Sequence, residues 1–164
     1  MLFEKYSSPA GKIILAAHEN AICGLWFEGQ KYELLGIDSS LAESEGDREV
    51  LSHCKNWLDA YFEGRAPEID FPLCPNGTQF QKKVWQQLCK IPYGSTASYG
   101  EIAALVGCKS ARAVGGAVGK NPISILIPCH RVLGANSALT GYAGGIDRKL
   151  FLLDLENGKW PRHN

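Results

Sequence analysis

The sequence predicts an α+β chain in two parts, a small sheet with one helix followed by a mostly helical unit that contains a helix-turn-helix. Three observations predict this: strand-like runs within residues 1–27, two short capped helical segments on either side of Gly107, and a reversal of charge near Asn76. The domains drawn from them are 1–72 and 78–164, with a linker at 73–77. A chain of 164 residues, 45% of them hydrophobic, has enough apolar mass for two small cores.

Residues 2–7, 12–17 and 21–27 read as strands, with Pro9-Ala10-Gly11 and Glu19-Asn20 as turn signals between them. A short antiparallel meander follows from that spacing. Residues 30–46 are polar and without clear period, but from Asp47 onward Val50, Cys54, Trp57, Leu58 and Tyr61 fall on one helical face that Gly64 ends. The segment 63–77 holds Pro67, Pro72 and Pro75 and suits an extended linker.

Beyond it Thr78 is placed to cap a helix carrying Phe80, Val84 and Leu88, closed by Pro92-Tyr93-Gly94. Ser98-Tyr-Gly-Glu101 has the form of a capping box opening a helix with Ile102, Ala103 and Val106, and Ser110 caps a second one over 111–120. Two capped helices joined by Gly107-Cys108-Lys109 have helix-turn-helix form, the second being the recognition helix. That helix is rich in small residues, with Ala111, Ala113, Gly115, Gly116, Ala117 and Gly119. A helical glycine costs about 1 kcal/mol relative to alanine, so the composition implies close approach of the backbone to another surface. Two surfaces qualify, a packed neighbouring helix or the floor of a DNA groove. The run 123–127 reads as a buried strand stopped by Pro128, residues 134–145 as a loop, and 147–156 as a last helix.

The formal net charge is zero, yet residues 1–76 carry 6 Lys and Arg against 13 Asp and Glu, and residues 77–164 carry 11 against 4. The halves are therefore −7 and +7 (6 − 13 and 11 − 4). A basic half of this size points to an anionic partner, nucleic acid first, unless the two halves merely attract each other. No apolar run reaches signal-peptide or membrane-span length, so a cytoplasmic protein without a membrane partner is expected. The cysteines at 23, 54, 74, 89, 108 and 129 have irregular spacings and no Cys-x-x-Cys pair, which argues against a zinc site or a disulfide framework.

Cys129 stands apart from the other cysteines because a basic, polar flank, His130-Arg131, follows it immediately after an apolar segment. Cys23, Cys54 and Cys89 sit in apolar patterns and read as core, and Cys74 and Cys108 fall in the linker and the helix turn. An ordinary thiol is only slightly ionised at neutral pH, so a nucleophilic Cys129 needs a base or a positive field, which His130 and Arg131 can supply. Glu156, one of the four acids of the basic half, can orient that histidine. The same set also describes a thiol hydrolase, or a buried cysteine beside a surface histidine.

The stretch Asn121-Pro-Ile-Ser-Ile-Leu-Ile-Pro-Cys-His-Arg-Val132 resembles the active-site signature of the O6-alkylguanine-DNA alkyltransferases, also called methylated-DNA–protein-cysteine methyltransferases. The similarity extends through Ser110-Ala-Arg-Ala-Val-Gly-Gly-Ala117 and Tyr142-Ala-Gly-Gly145 to Glu156, covering residues 78–158. The resemblance implies a ribonuclease-H-like first domain and a winged-helix-like second one. It implies that Cys129 is the nucleophile, deprotonated through a water by His130, which Glu156 holds in the productive tautomer. Asn121 would bridge the recognition helix and the active-site turn, and Tyr99 would donate to N3 of the guanine. Arg112 would enter the duplex as the base rotates out, with Ala111, Ala113, Gly115 and Gly116 as the slim face toward the minor groove. Val132, Tyr142 and Ala143 would form the substrate pocket.

The function implied is DNA repair by direct reversal, in which one molecule takes one alkyl group from O6-methylguanine in duplex DNA, as a monomer and without a cofactor or metal. Small residues at Ala143 and Val118 suggest room for larger alkyl groups and for O4-methylthymine. The rival readings are a non-catalytic alkyltransferase-like lesion binder, which would lack the cysteine, a helix-turn-helix regulator, which would carry base-reading side chains in place of Ala and Gly, and a thiol hydrolase.

Overall fold

The computed structural model describes residues 1–159, so the last five residues of the expected second domain lie outside the described residues. The first part is the meander read from the turns: β1 (Leu2–Ser8), β2 (Gly11–His18) and β3 (Ala21–Phe27) form an antiparallel sheet in the order β1-β2-β3. The β2–β3 turn places Glu19 and Asn20 at φ 49° and 63°, the left-handed pair that a tight hairpin requires. One face of the sheet presents Ile13, Leu15, Ala17, Ile22, Leu25 and Phe27 to α1 (Asp47–Phe62), whose apolar stripe closes the core. The other face buries Ala16, Cys23 and Trp26. There Gly24 is required, because a Cβ at that position would lie 1.9 Å from the Trp26 ring.

The second part begins with α2 (Gln79–Leu88), capped by Thr78 in a full capping box with Gln81. Two residues of β4 (Ala97–Ser98) lead into α3 (Tyr99–Leu105), and α4 (Ala111–Gly119) follows across the tight turn at Gly107. Ser98 accepts the Glu101 N–H and Ser110 accepts the Ala113 N–H, so both helices of the helix-turn-helix start where the serines stand. The Trp85 indole of α2 donates to Ala117 O at 2.9 Å and pins α4 from behind. β4 pairs in parallel with β5 (Val132–Leu133), and α5 (Ile146–Glu156) completes the domain. The fold class is thus the α+β arrangement expected, a sheet-plus-helix unit followed by a mostly helical one.

Three expectations are corrected. Residues 123–127 are buried as predicted but form turns instead of a strand, with one bridge from Ile123 to Leu25. The reason is local: Pro122 and Pro128 bracket the run, Ile125 takes φ 70°, and the Asn121 side chain supplies bonds that a ladder would otherwise make. The segment 63–77 is extended but held, since Ile22 N donates to Pro72 O at 2.9 Å and Cys74 N to Ile22 O at 2.7 Å. The outer edge of β3 needs partners for its backbone groups, and this segment and the 122–124 turn share it. Cys89 is exposed, because it follows α2 as its C-cap on the outward side, whereas Cys23 and Cys54 are core residues as expected.

Candidate active site

The turn after α4 is built around Asn121, which is buried and bonds through both its side-chain amide atoms to the backbone ahead of it. Its Nδ2 donates to Ile127 O at 2.8 Å and Ile123 O at 3.4 Å, and its Oδ1 accepts Ile123 N–H at 3.0 Å. This loop delivers Pro128 and then Cys129, which starts a single turn of 3-10 helix over Cys129–Arg131. Asn121 therefore links the end of α4 to the cysteine turn, the position expected of it.

Cys129 is 8% exposed. Burial pushes its thiol pKa up, opposed by a hydrogen bond from Asn121, the charge of Lys149 and the nearby backbone N–H groups. The positive field at the sulfur thus comes from Lys149, not from Arg131 as the sequence suggested. Arg131 turns away, donating through Nε and Nη2 to the two oxygens of Glu156 at 2.8 and 3.1 Å and through Nη1 to Ile91 O at 2.7 Å.

His130 and Glu156 meet as predicted, with His130 Nε2 2.5 Å from Glu156 Oε2, both side chains fully buried. Glu156 also accepts the Tyr61 hydroxyl at 2.7 Å and Gly94 N–H at 3.1 Å. Burial alone would raise its pKa, but the bonds and charges of His130 and Arg131 outweigh it and hold the carboxyl at about 2. Burial in turn pushes the His130 pKa down against the pull of Glu156. An ionised carboxylate only accepts, so the neutral imidazole carries its proton on Nε2 and presents Nδ1 as a lone pair. Nδ1 is buried with no protein partner among the described residues.

Lys149 was not legible as a site residue. Its ammonium is buried, donates to Val132 O and to Thr140 O at 2.5 and 2.8 Å, and so ties β5 to the 134–145 loop beside the thiol. Burial pulls its pKa down while Cys129 pulls it up.

Next to this relay a cleft of about 410 Å³ is lined by Lys31, Tyr32, Tyr99, Gly116, Tyr142 and Ala143 among others. A second, of about 470 Å³, runs along Ser98, Tyr99, Ala111, Arg112 and Gly115. Tyr99 stands between them at the start of α3, half-buried, its hydroxyl 3.4 Å from Gly141 O. Burial raises the pKa of Tyr99 and of Tyr142, and the charge of Cys129 raises both further. Val132, fully buried, lends its carbonyl to Lys149. Val118 lies in the core, 4% exposed, so contrary to expectation it does not widen the pocket; Ala143 does line it.

On α4, Ala111, Arg112, Ala113 and Gly116 are exposed. A Cβ added at Gly116 or Gly119 would meet nothing within 4 Å, and one at Gly115 would only touch the Tyr99 ring at 3.8 Å. No neighbouring helix demands these glycines, which removes tight internal packing as their explanation. Lys31 and Lys120 both lie over the Tyr32 ring at the edge of this face, at 5.0 and 5.8 Å. No helix is long and apolar enough to cross a membrane, and no cluster of three metal-ligating side chains occurs, among the described residues.

The chain is similar to known proteins over nearly its whole length. Residues 79–158 match the model of the 6-O-methylguanine DNA methyltransferase DNA binding domain, and residues 1–75 match that family's ribonuclease-like domain. A methylated-DNA–protein-cysteine methyltransferase of Methanosarcina acetivorans is 46% identical over 157 residues, covering 95% of this chain and 98% of that protein. One of Mycobacterium leprae is 49% identical, covering 91% and 88%. The Mycobacterium tuberculosis OGT, solved in complex with DNA, is 43% identical and superposes with a TM-score of 0.84 over 98% of this chain and 95% of that one. With both halves matched and a relative 46% identical across 95% of its length, the chain belongs to the 6-O-methylguanine DNA methyltransferase family.

Proposed function

We propose that this protein repairs O6-methylguanine in duplex DNA by moving the methyl group irreversibly to its own Cys129. The observation that carries the proposal is a buried Cys129 followed in the chain by His130, itself bonded to Glu156, near a cleft one wall of which is the slim, exposed face of α4.

Arg112, exposed in the first turn of α4, enters the base stack while the damaged nucleotide rotates into the cleft between Tyr99 and Tyr142. The open Ala and Gly face follows the minor groove without reading sequence, and the lysines of the basic half supply phosphate contacts. The lesion is selected because a base that pairs badly costs less to extrude. His130 Nδ1 takes the thiol proton through a bridging water, and the new Nδ1–H stabilises as imidazolium against Glu156. The thiolate attacks the methyl carbon, the C–S bond forms as the C–O6 bond breaks, and the electron pair departs onto the guanine. Tyr99, whose raised pKa keeps it protonated, hydrogen-bonds N3 so that charge never fully develops on the leaving base. The product thioether has no leaving group that returns the thiol, so each molecule acts once. O4-methylthymine presents the same carbon–oxygen bond and fits the small wall at Ala143.

Intact mass spectrometry with duplex DNA containing one O6-methylguanine tests this reading. A gain of about 14 Da, one methylene by the transfer chemistry, confined to Cys129 and absent in Cys129→Ser, is the expected result. DNA binding without a mass change would make the protein a lesion binder and remove the catalytic assignment.

A further inference from the structure

Tyr61 lies near the C-terminal end of α1, in the first domain, yet its hydroxyl reaches the relay of the second. The ring is fully buried, stacked on Trp57 at 5.1 Å between centroids and edge-on to Tyr93 at 6.1 Å. The hydroxyl donates to Glu156 Oε2 at 2.7 Å, the same oxygen that accepts from His130 Nε2 at 2.5 Å.

We propose that Tyr61 is a positioning residue for alkyl transfer, a hydrogen-bond donor from the first domain that sets how strongly Glu156 draws on His130. The proposal rests on the reading of Cys129, His130 and Glu156 given above. Oxygen lone pairs shared among several donors give less to each. Glu156 Oε2 serves Tyr61, His130 and Arg131, while Oε1 serves Arg131 and Gly94 N–H. Arg131 donates through its guanidinium and Gly94 from the backbone, which leaves Tyr61 as the neutral side chain by which the strength of the His130 bond is adjusted. Its proton is secure, because burial and then the charge of Glu156 raise its pKa well above the ordinary phenol value. Packing does not require the hydroxyl, since a phenylalanine ring would stack on Trp57 equally well.

The other charged or titratable groups facing the pair are Arg131 beside it, Lys149 from α5, Tyr93 ahead of β4, and Cys129 and Tyr142 on the cleft side. None of them changes in the substitution Tyr61→Phe. Removing the hydroxyl leaves Glu156 more basic toward His130, so the imidazolium is better stabilised and His130 stays protonated to higher pH. The acid limb of the methyl-transfer rate then moves up by about half to one pH unit, and the rate below that limb falls several-fold. Incorporating 3-fluorotyrosine at position 61 keeps the ring and strengthens the donor, so the limb moves the opposite way.

The test combines the pH–rate profile on O6-methylguanine duplex with the proton resonance of His130 Nε2–H. That resonance is expected downfield of wild type in Tyr61→Phe and upfield in the fluorotyrosine protein. Coincidence with wild type in both proteins overturns the proposal, because a hydroxyl that merely fills a buried lone pair would move neither. Should Tyr61→Phe not fold, the fluorotyrosine protein carries the test alone. Should the wild type take no methyl group, the functional reading fails while the resonance still decides the coupling.

Discussion

Cys54 and Cys129 are both buried thiols, one under α1 against the sheet and the other at the end of the Asn121 turn. Burial raises the pKa of each. For Cys54 little opposes it beyond the charge of Lys55, and the thiol is pushed up to about 12. Around Cys129 the same burial encloses Asn121, Lys149 and the N–H of His130, all of which favour the thiolate. Depth therefore does not distinguish a nucleophile from a core residue; the polar groups buried alongside do. Those groups cost the fold, since each must find partners away from water, and the second domain meets that demand with Asn121, Ser124, His130, Lys149 and Glu156 in one region.

The sharpest way to break the comparison is to exchange the two thiols for hydroxyls. Cys129→Ser is expected to lose methyl uptake by on the order of 10³-fold or more with its melting temperature nearly unchanged. Cys54→Ser is expected to take up methyl at the wild-type rate while losing about 1–3 kcal/mol of stability to an unpaired buried hydroxyl. Peptide mapping that finds methyl on Cys54 would end the distinction.

The relay gives the next largest effect. Glu156→Gln keeps the shape but removes the charge that fixes the His130 tautomer, and methyl transfer should slow by about 10²-fold. A pH dependence of stability accompanies it. The folded carboxyl is held at about 2, below its ordinary value of 4.5, so its contribution is full above 4.5 and is lost as pH falls toward 2. That contribution is on the order of 3 kcal/mol, and denaturant melts between pH 6 and about 2 should show it in wild type and not in Glu156→Gln.

Asn121→Ala probes the loop that carries Cys129. It leaves Ile123 N–H and Ile127 O short of a partner, at a cost of about 1–3 kcal/mol. The transfer rate should fall roughly tenfold, and a rate that instead matches wild type would mean that Pro122 and Pro128 hold the turn unaided.

How far the sequence reveals these regions depends on the range of the forces involved. Helix starts at Thr78, Ser98 and Ser110 and the hairpin at Glu19-Asn20 were legible because a cap or a turn is decided by residues two or three positions apart. The 123–127 run departs from the strand its hydrophobicity predicts because that hydrophobicity reports burial truthfully but says nothing of the Asn121 bonds that replace a strand ladder. Cys129, His130 and Glu156 are legible from their chemistry and a family resemblance, and the structure brings the side chain of His130, next to Cys129 in the chain, into contact with that of Glu156. Lys149 and Tyr61 are not. A lysine two positions after an aspartate in a helix reads as surface, and a tyrosine on an apolar stripe reads as core. Only the fold shows that the ammonium closes on Val132 and Thr140 and that the phenol crosses to the other domain.

The smallest expected change separates stability from DNA affinity. Gly116 sits on the open face of α4 with no atom within 4 Å of an added Cβ. Gly116→Leu should leave the fold unharmed and even gain up to about 0.8 kcal/mol from helix propensity. If the face enters a minor groove, the added side chain obstructs the approach of the backbone, and affinity for undamaged duplex should drop about tenfold, roughly 1.4 kcal/mol. Gly116 also lines the cleft, so uptake from a free O6-benzylguanine base, which needs no groove, should fall less than duplex affinity does and measures what the added side chain costs the pocket. An unchanged duplex affinity would place the groove contact elsewhere and leave the glycines of α4 without a physical account, since nothing inside the protein asks for them.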